Sequence, residues 1–219
     1  MKLRVVMAVL MTVAPLPVAG QGFGLGAHAG LNGFGADAGV GLNSRVVLRG
    51  GVSVVPDDYF LTNLLPADVS GVDYEVRLPQ RTLRLGLDLH ILGPLRLMGG
   101  VIHRNQDLIA EAMVTQSIDI GGTTYTQSGM VQATLDQSSL MPFGGIGFGN
   151  LSSGFGLYMD IGVAYSSEAA VVMSASGELA TAPGIDDSLQ QEADEFLSDA
   201  PPILKHLYPL VQIGLKFGL

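Results

Sequence analysis

The four histidines, His28, His90, His103 and His206, carry the most versatile chemistry in this sequence. A histidine can bind a metal or act as a general base when a suitable ligand, serine or carboxylate stands at the right distance. None of the four occurs in a metal-binding pattern such as HExxH, and the chain has no cysteine. A lipid-modifying enzyme would need a serine and an acid near His103, and neither can be assigned. The sequence therefore indicates no catalytic residue, no metal site and no cofactor.

A second group of ionisable residues lies at positions that alternate with apolar ones. In the segment Phe155–Ser166, for example, Asp160 stands between Met159 and Ile161. Successive side chains of a strand point to opposite faces, so these charged residues share the face opposite the apolar one. Opposite charges enclosed on one face should pair, because an unpaired buried ion costs several kcal/mol. We predict a charge network inside a barrel, formed by Asp37, Arg49, Arg84, Asp88, Arg96, Arg104, Asp160 and Lys216. His28, Arg45 and His90 fall on the same face.

The same alternation recurs along the whole chain and predicts eight strands. The connections between them alternate in length. Short turns are expected at 43–44, 92–94 and 150–154, and long connections at 56–71, 113–129 and 176–206; only the turn at 32–33 is short where a long one is expected. An even number of strands with alternating short and long connections is typical of an outer-membrane barrel. The predicted fold is all-β, an eight-stranded antiparallel transmembrane barrel.

Three local features are expected within this barrel. The apolar positions change from even to odd numbers around Pro79-Gln80, which we interpret as a β-bulge that restores the facing of the side chains. Gly121-Gly122 predicts a hairpin whose two strands extend beyond the membrane. In the last long loop, apolar residues at helical spacing from Ile185 to Leu197 predict a short acidic amphipathic helix that ends before Pro201-Pro202.

Composition favours a membrane protein over a soluble one. Only 14% of the residues are charged and the mean hydropathy is +0.39, whereas a soluble domain carries about 25% charged residues. A soluble barrel with the leucines inside would have an exterior of Gly, Ala and Ser, which is a poor water-facing surface. The acidic balance of −9 argues against nucleic-acid binding.

The first twenty residues have the pattern of a secretory signal peptide. MKLR is basic, the following run is apolar, and PLPVAG ends in small residues. We therefore expect residues 1–20 to be removed and residues 21–219 to form the barrel. Loss of Lys2 and Arg4 would lower the net charge from −9 to −11. Beyond this segment no apolar run reaches the roughly 20 residues of a membrane helix.

Over roughly residues 33–219 the chain resembles the small eight-stranded outer-membrane barrels of Gram-negative bacteria, such as OmpX, OmpW and the membrane domain of OmpA. The resemblance rests on DYEVRLPQRTLRLGLDLH, LRLMGGVIHRNQD, IGGTTYT, PFGGIGFGN, DIGVAYS and YPLVQIGLKFGL. It implies a cell outer-membrane location, contact with outer-membrane lipid, and recognition of Tyr208 to Leu219 by the barrel-insertion machinery. It also implies a monomer with its termini in the periplasm.

Three functions remain open from the sequence. The first is a structural or surface-interaction role with a lumen plugged by ion-paired side chains. The second is a narrow channel for small or apolar solutes, and the third is a lipid-modifying enzyme that uses His103. We also expect aromatic girdles at the two membrane boundaries, with Tyr74, Tyr165 and Tyr208 at one and Phe143, Phe148 and Phe155 at the other.

Overall fold

A computed structural model describes residues 22–56, 68–69, 72–152, 154–199 and 205–219. The expected signal peptide (1–20), much of the expected long loop 56–71, and Pro201-Pro202 lie outside the described residues. The described part contains fifteen strands, which are β1 (Phe23–Gly30), β2 (Gly33–Gly41), β3 (Val46–Val54), β4 (Asp68–Val69), β5 (Val72–Arg77), β6 (Arg81–Leu92), β7 (Leu95–Arg104), β8 (Leu108–Val114), β9 (Ile118–Ile120), β10 (Thr123–Tyr125), β11 (Gly129–Gln137), β12 (Leu140–Phe148), β13 (Gly154–Tyr165), β14 (Ala169–Gly177) and β15 (Leu207–Gly218).

Eight of these strands close an antiparallel barrel in the order β1-β2-β3-β6-β7-β12-β13-β15. Closure comes from β1, which pairs with β2 along one edge and with β15 along the other. Every neighbour in this order is also the next barrel strand along the chain. The predicted eight-stranded antiparallel barrel is confirmed.

The outer surface of the barrel is apolar, and ionisable and other polar side chains lie in its interior. On β13, Leu157 is 62% exposed while its neighbours Tyr158 and Asp160, which point inward, are 1% and 0% exposed. Most leucines of the barrel strands therefore face outward, and the soluble alternative, which has the leucines inside, does not describe this fold. Among the described residues no helix is long and apolar enough to cross a membrane.

A second sheet continues the barrel at one end. Its order is β14-β11-β8-β5-β4, and β5, β8, β11 and β14 are direct continuations of β6, β7, β12 and β13. The hairpin β9–β10 and helix α1 (Ile185–Asp199) complete this part. We call residues 68–69, 72–77, 108–137 and 169–199 the extension. The predicted helix in the last long loop and the predicted hairpin outside the barrel are both confirmed.

The predicted β-bulge at Pro79-Gln80 is wrong. Thr82 pairs with Arg104 in the barrel and Arg77 pairs with Ile109 in the extension. Five positions separate the two pairs on either strand, so neither strand gains a residue and the side-chain facing does not change. The apolar residues instead move from one face of the strand to the other, because the two faces have different surroundings in the barrel and in the extension. In the barrel these residues point outward, whereas in the extension they point toward a core.

That core joins the helix to the hairpin and to the inner face of the sheet. It contains Val114, Ile120, Tyr125, Leu179, Ala182, Ile185 and Leu189, all buried. Two polar contacts fix the helix on the hairpin. The hydroxyls of Tyr125 and Ser188 lie 2.8 Å apart, and the backbone N–H of Gly121 donates to Glu192 Oε2 at 2.9 Å. Gly121 and Gly122 have φ of 53° and 73°, as a two-residue type I′ hairpin turn requires.

Leu189→Ala should destabilise the extension and leave the barrel folded. Leu189 is 1% exposed in the extension core, and a truncated buried leucine costs about 2–5 kcal/mol. In limited proteolysis with thermolysin, the variant should be cut faster within residues 108–137 and 169–199, while the barrel strands stay protected. Phe196→Ala is the control, because Phe196 lies on the same helix but is 55% exposed. Equal cutting rates for both variants and the wild type would contradict this packing.

Candidate functional site

Six ionisable side chains from five strands meet inside the barrel, and we call them the charge network: Asp37, Arg49, Arg84, Asp88, Arg96 and Asp160. Asp37 accepts hydrogen bonds from Arg49 at 2.7 Å and from Arg84 at 2.9 Å. The network contains three carboxylates and three guanidinium groups. The formal charges of these six groups therefore sum to zero.

Asp160 and Asp88 connect Arg49 to Arg96. Oxygens of Asp160 lie 2.8 Å from Arg49 Nη1 and 2.5 Å from Arg96 Nη2. Asp88 Oδ2 lies 3.1 Å from Arg96 Nη1 and 3.5 Å from Arg49 Nη1. Each arginine of the network thus contacts two or more carboxylates, which is the arrangement that offsets the high cost of removing ions from water.

The structure places the other two residues of the predicted network elsewhere. Arg104 is buried at the extension end, where its guanidinium lies 5.0 Å from the Tyr208 ring and 3.6 Å from Asp107 Oδ1. Lys216 lies near the opposite end, and its ammonium donates to the backbone oxygen of Gly154 at 3.3 Å. Six of the eight predicted residues therefore come together in the charge network.

Two other residues on the predicted inward face lie at the rim. Arg45 is exposed in the turn before β3, and His90 Nδ1 lies 3.3 Å from the Arg45 backbone oxygen. Alternation predicts the side of a strand on which a residue lies. It does not predict how far along the barrel axis the residue is. The expectation that Arg45 lines the lumen is wrong, whereas His90 lies near this rim on the same face as Arg96, with its Nε2 buried.

Two neutral polar side chains that are not among the predicted network residues, Tyr158 and Gln212, extend the network. The Tyr158 hydroxyl donates to Asp37 Oδ2 at 2.6 Å, and the Arg49 guanidinium lies 4.8 Å from the Tyr158 ring. The Gln212 amide donates to Asp160 Oδ2 at 2.9 Å. Both residues have the inward phase of their strands, so the alternation contains the signal that would find them.

Ser53, His28 and Asp37 form a hydrogen-bonded chain in the order of a nucleophilic triad. His28 Nε2 lies 2.8 Å from Ser53 Oγ, and His28 Nδ1 lies 2.9 Å from Asp37 Oδ2. In a catalytic triad the carboxylate orients the imidazole, but here the same carboxylate also binds Arg49, Arg84 and Tyr158. The adjoining cavity measures about 10 Å³, which is room for roughly one water molecule. An acyl group does not fit there, and we assign these residues a structural role.

Glycines make room for the charge network. A Cβ atom at Gly51 would lie 2.2 Å from Asp37 Oδ1, and one at Gly147 would lie 2.3 Å from Arg96 Nη1. Such separations are far below van der Waals contact, so larger residues at these two positions would displace the ion pairs. At these two positions glycine thus has a steric cause, since eight strands enclose a lumen only wide enough for side chains to fill.

Apolar side chains fill the lumen on either side of the charge network. At the extension end the buried cluster consists of Met98, Ile102, Met141, Phe143, Ala164, Tyr208 and Leu210. At the other end Leu151, from the turn between β12 and β13, is 1% exposed, and a Cβ at Gly39 would lie 2.9 Å from its Cδ2. Phe143 and Tyr208 are therefore interior residues, and their predicted place in the aromatic girdles is wrong.

Asp37→Asn should lower the stability of the barrel strongly. It leaves three guanidinium groups with two carboxylates, and breaking a buried pair on one side costs about 3–5 kcal/mol. Replacing Arg84 by Gln in the same chain restores the balance and should recover part of the loss. The measurement is the temperature at which the folded species disappears from detergent gels.

Asp136→Asn is the matched control, because Asp136 is an exposed carboxylate of the extension. It should not change the transition temperature. A double variant Asp37→Asn, Arg84→Gln less stable than Asp37→Asn alone would contradict charge balance as the source of the stability.

The fold is shared with proteins whose structures have been solved. Crystal structures of Acinetobacter baumannii CarO and CarO2 both match with a TM-score of 0.62 and 16% identity, covering 90% of this chain and 97% and 98% of theirs. A major outer membrane protein of Thermus thermophilus matches with a TM-score of only 0.36 and 14% identity, covering 90% of this chain and 98% of its own. No protein-family model and no curated protein matches the sequence. The chain has the fold of a small outer-membrane β-barrel.

Proposed function

We propose that this protein is an integral outer-membrane barrel with a closed lumen, which presents the extension at the cell surface in a structural or interaction role. The observation that carries the proposal is the filled interior. A balanced charge network occupies the lumen, with an apolar cluster at one end and Leu151 at the other.

The lipid-facing surface supports the membrane location. The barrel strands contain 8 to 12 residues, close to the 9–11 that a tilted transmembrane strand needs. Their outward side chains are large and apolar, for example Leu85, Leu157 and Ile213, each more than half exposed. In water such an apolar surface would cause the protein to aggregate. In a bilayer it contacts the acyl chains of the lipids, which are equally apolar.

The distribution of the connections supports the orientation. At the end of the barrel that carries the termini, the turns between β2 and β3, β6 and β7, and β12 and β13 are short. The extension lies at the other end. Outer-membrane barrels have short periplasmic turns and long external loops, so in the proposed orientation the extension is outside the cell. Its own apolar core makes it a folded surface element.

The filled lumen disfavours a channel. A passage would require the ion pairs of Asp37 and Asp160 to separate inside a low-dielectric interior, which costs several kcal/mol for each charge left unpaired. The cavity beside His28 and Ser53 holds about one water molecule. A narrow channel remains the second hypothesis, and conductance distinguishes it from the first.

The wild-type protein should not conduct ions when reconstituted into planar lipid bilayers. The physical reason is the charge network, which blocks the lumen with residues from five of its eight strands. A general porin, inserted into the same membrane, shows that channels of known size are detected. Protein from the same preparation must show a heat-dependent gel shift. This control excludes misfolding as the reason for an absence of conductance.

Stepwise conductance by protein that passes this folding control would contradict a closed lumen and favour the channel. In that case Arg84→Gln, at the cavity, should change the ion selectivity. Leu157→Ala on the lipid-facing surface should not.

A further inference from the structure

The polar side chains on the lipid-facing surface of the barrel are confined to one end. The outward positions of the eight barrel strands are apolar residues, glycines and prolines, with three exceptions: Arg81 on β6, His103 on β7 and Tyr165 on β13. All three lie at the extension end, where the strands leave the apolar belt. The Tyr165 ring lies 5.6 Å from the His206 ring, whereas Arg81 and His103 both extend from neighbouring strands toward the surroundings of the barrel.

Arg81 and His103 are neighbours on adjacent strands. His103 pairs directly with Leu83, and Arg81 lies two residues before Leu83 on the same face. Diagonal neighbours of this kind have Cα atoms roughly 7–8 Å apart, which is within reach of long side chains. Asn105 holds the backbone here, since its Oδ1 accepts from Arg81 N at 2.8 Å and its own N–H donates to Arg81 O at 3.2 Å.

In the described part of the chain, several charged groups of the adjoining extension and of its junction with the barrel pair with one another. In the extension, Arg77 forms an ion pair with Glu111 at 2.8 Å, and Glu75 lies 3.8 Å from the same guanidinium. Asp107 lies 3.6 Å from the buried Arg104. None of the ion pairs in the described part of the chain includes Arg81. The pair is therefore an exposed cationic and hydrogen-bond-donating site on an acidic protein.

We infer that Arg81 and His103 bind the phosphate group of a phosphorylated lipid in the outer leaflet, an inference that rests on the proposed membrane orientation. A guanidinium matches a phosphate in charge and in hydrogen-bond geometry, and an imidazole N–H supplies a further donor. In the proposed orientation both side chains lie at the end of the apolar belt, which is where lipid headgroups would meet the barrel.

The apolar surface below the pair favours a lipid over free phosphate. Leu83 and Leu140, which pair with His103 from either side, are 53% and 59% exposed. Acyl chains of the bound lipid would cover these leucines while its phosphate contacts the two polar side chains. A soluble anion makes no use of this surface.

The test uses the full mature barrel in dodecyl maltoside micelles that contain either bis-phosphorylated lipid A or its dephosphorylated form. Native mass spectrometry measures the lipid-bound fraction. The wild type should prefer the phosphorylated lipid, and Arg81→Gln should weaken its binding about fivefold, the effect of one cationic residue near an anionic surface. Arg81→Gln with His103→Gln should weaken it further. Arg45→Gln, which alters an exposed arginine at the opposite rim, should bind like the wild type.

Three results would overturn the inference. They are equal binding of both lipids, unchanged binding by the double variant, or displacement of the lipid by inorganic phosphate at equal concentration, which would indicate a free-anion site. Heat-dependent gel shift and outer-membrane fractionation of the same proteins separate the two proposals. A folded outer-membrane protein without lipid preference contradicts this site alone, whereas a protein absent from the outer membrane contradicts the proposed function and the site with it.

Discussion

The ion pairs among three aspartates and three arginines are the interaction on which the rest of the barrel depends. Apolar side chains fill only the two ends of the lumen, so the buried ionisable groups between them must pair with one another, because an unpaired buried ion costs several kcal/mol. Asp37 and Asp160 do so by accepting from several donors each. The glycines that face them leave the space that the guanidinium groups occupy.

The extension shows how one continuous sheet serves two environments. Strands pass from the barrel into the extension with unchanged pairing between β5–β6 and β7–β8, yet the apolar residues move from the outer face to the inner one. In the barrel the outer face meets lipid. In the extension the inner face packs on Leu179, Ile185 and Leu189. Along β5–β6 and β7–β8 the sequence alternation therefore inverts where the surroundings do, without a change of register. Between β11–β12 and β13–β14 the register does shift by one residue, since the pairs Gln137–Ala169 and Phe143–Ala164 are six positions apart on one strand and five on the other.

Alternation and the lengths of the connections predict the barrel from the sequence, because side-chain facing in a regular strand depends on position parity, whereas the five-stranded sheet of the extension is not predicted. Alternation also predicts which residues line the lumen, including the six that form the charge network. Depth and contact are not predictable in this way. Arg45 and His90 have the inward phase but lie at a rim, and Phe143 and Tyr208 are expected at the membrane boundary although they lie inside. Tyr158 is not predicted when only charged residues are considered as members of the charge network.

The most direct test of the account is the gel mobility of the membrane-fractionated protein, with and without boiling in detergent. A barrel whose apolar face meets lipid and whose backbone hydrogen bonds are all internal should resist detergent when cold and shift on heating. We predict a compact cold species in the outer-membrane fraction that shifts on boiling. A soluble periplasmic protein with the same mobility before and after boiling would contradict the membrane barrel and the closed lumen built on it.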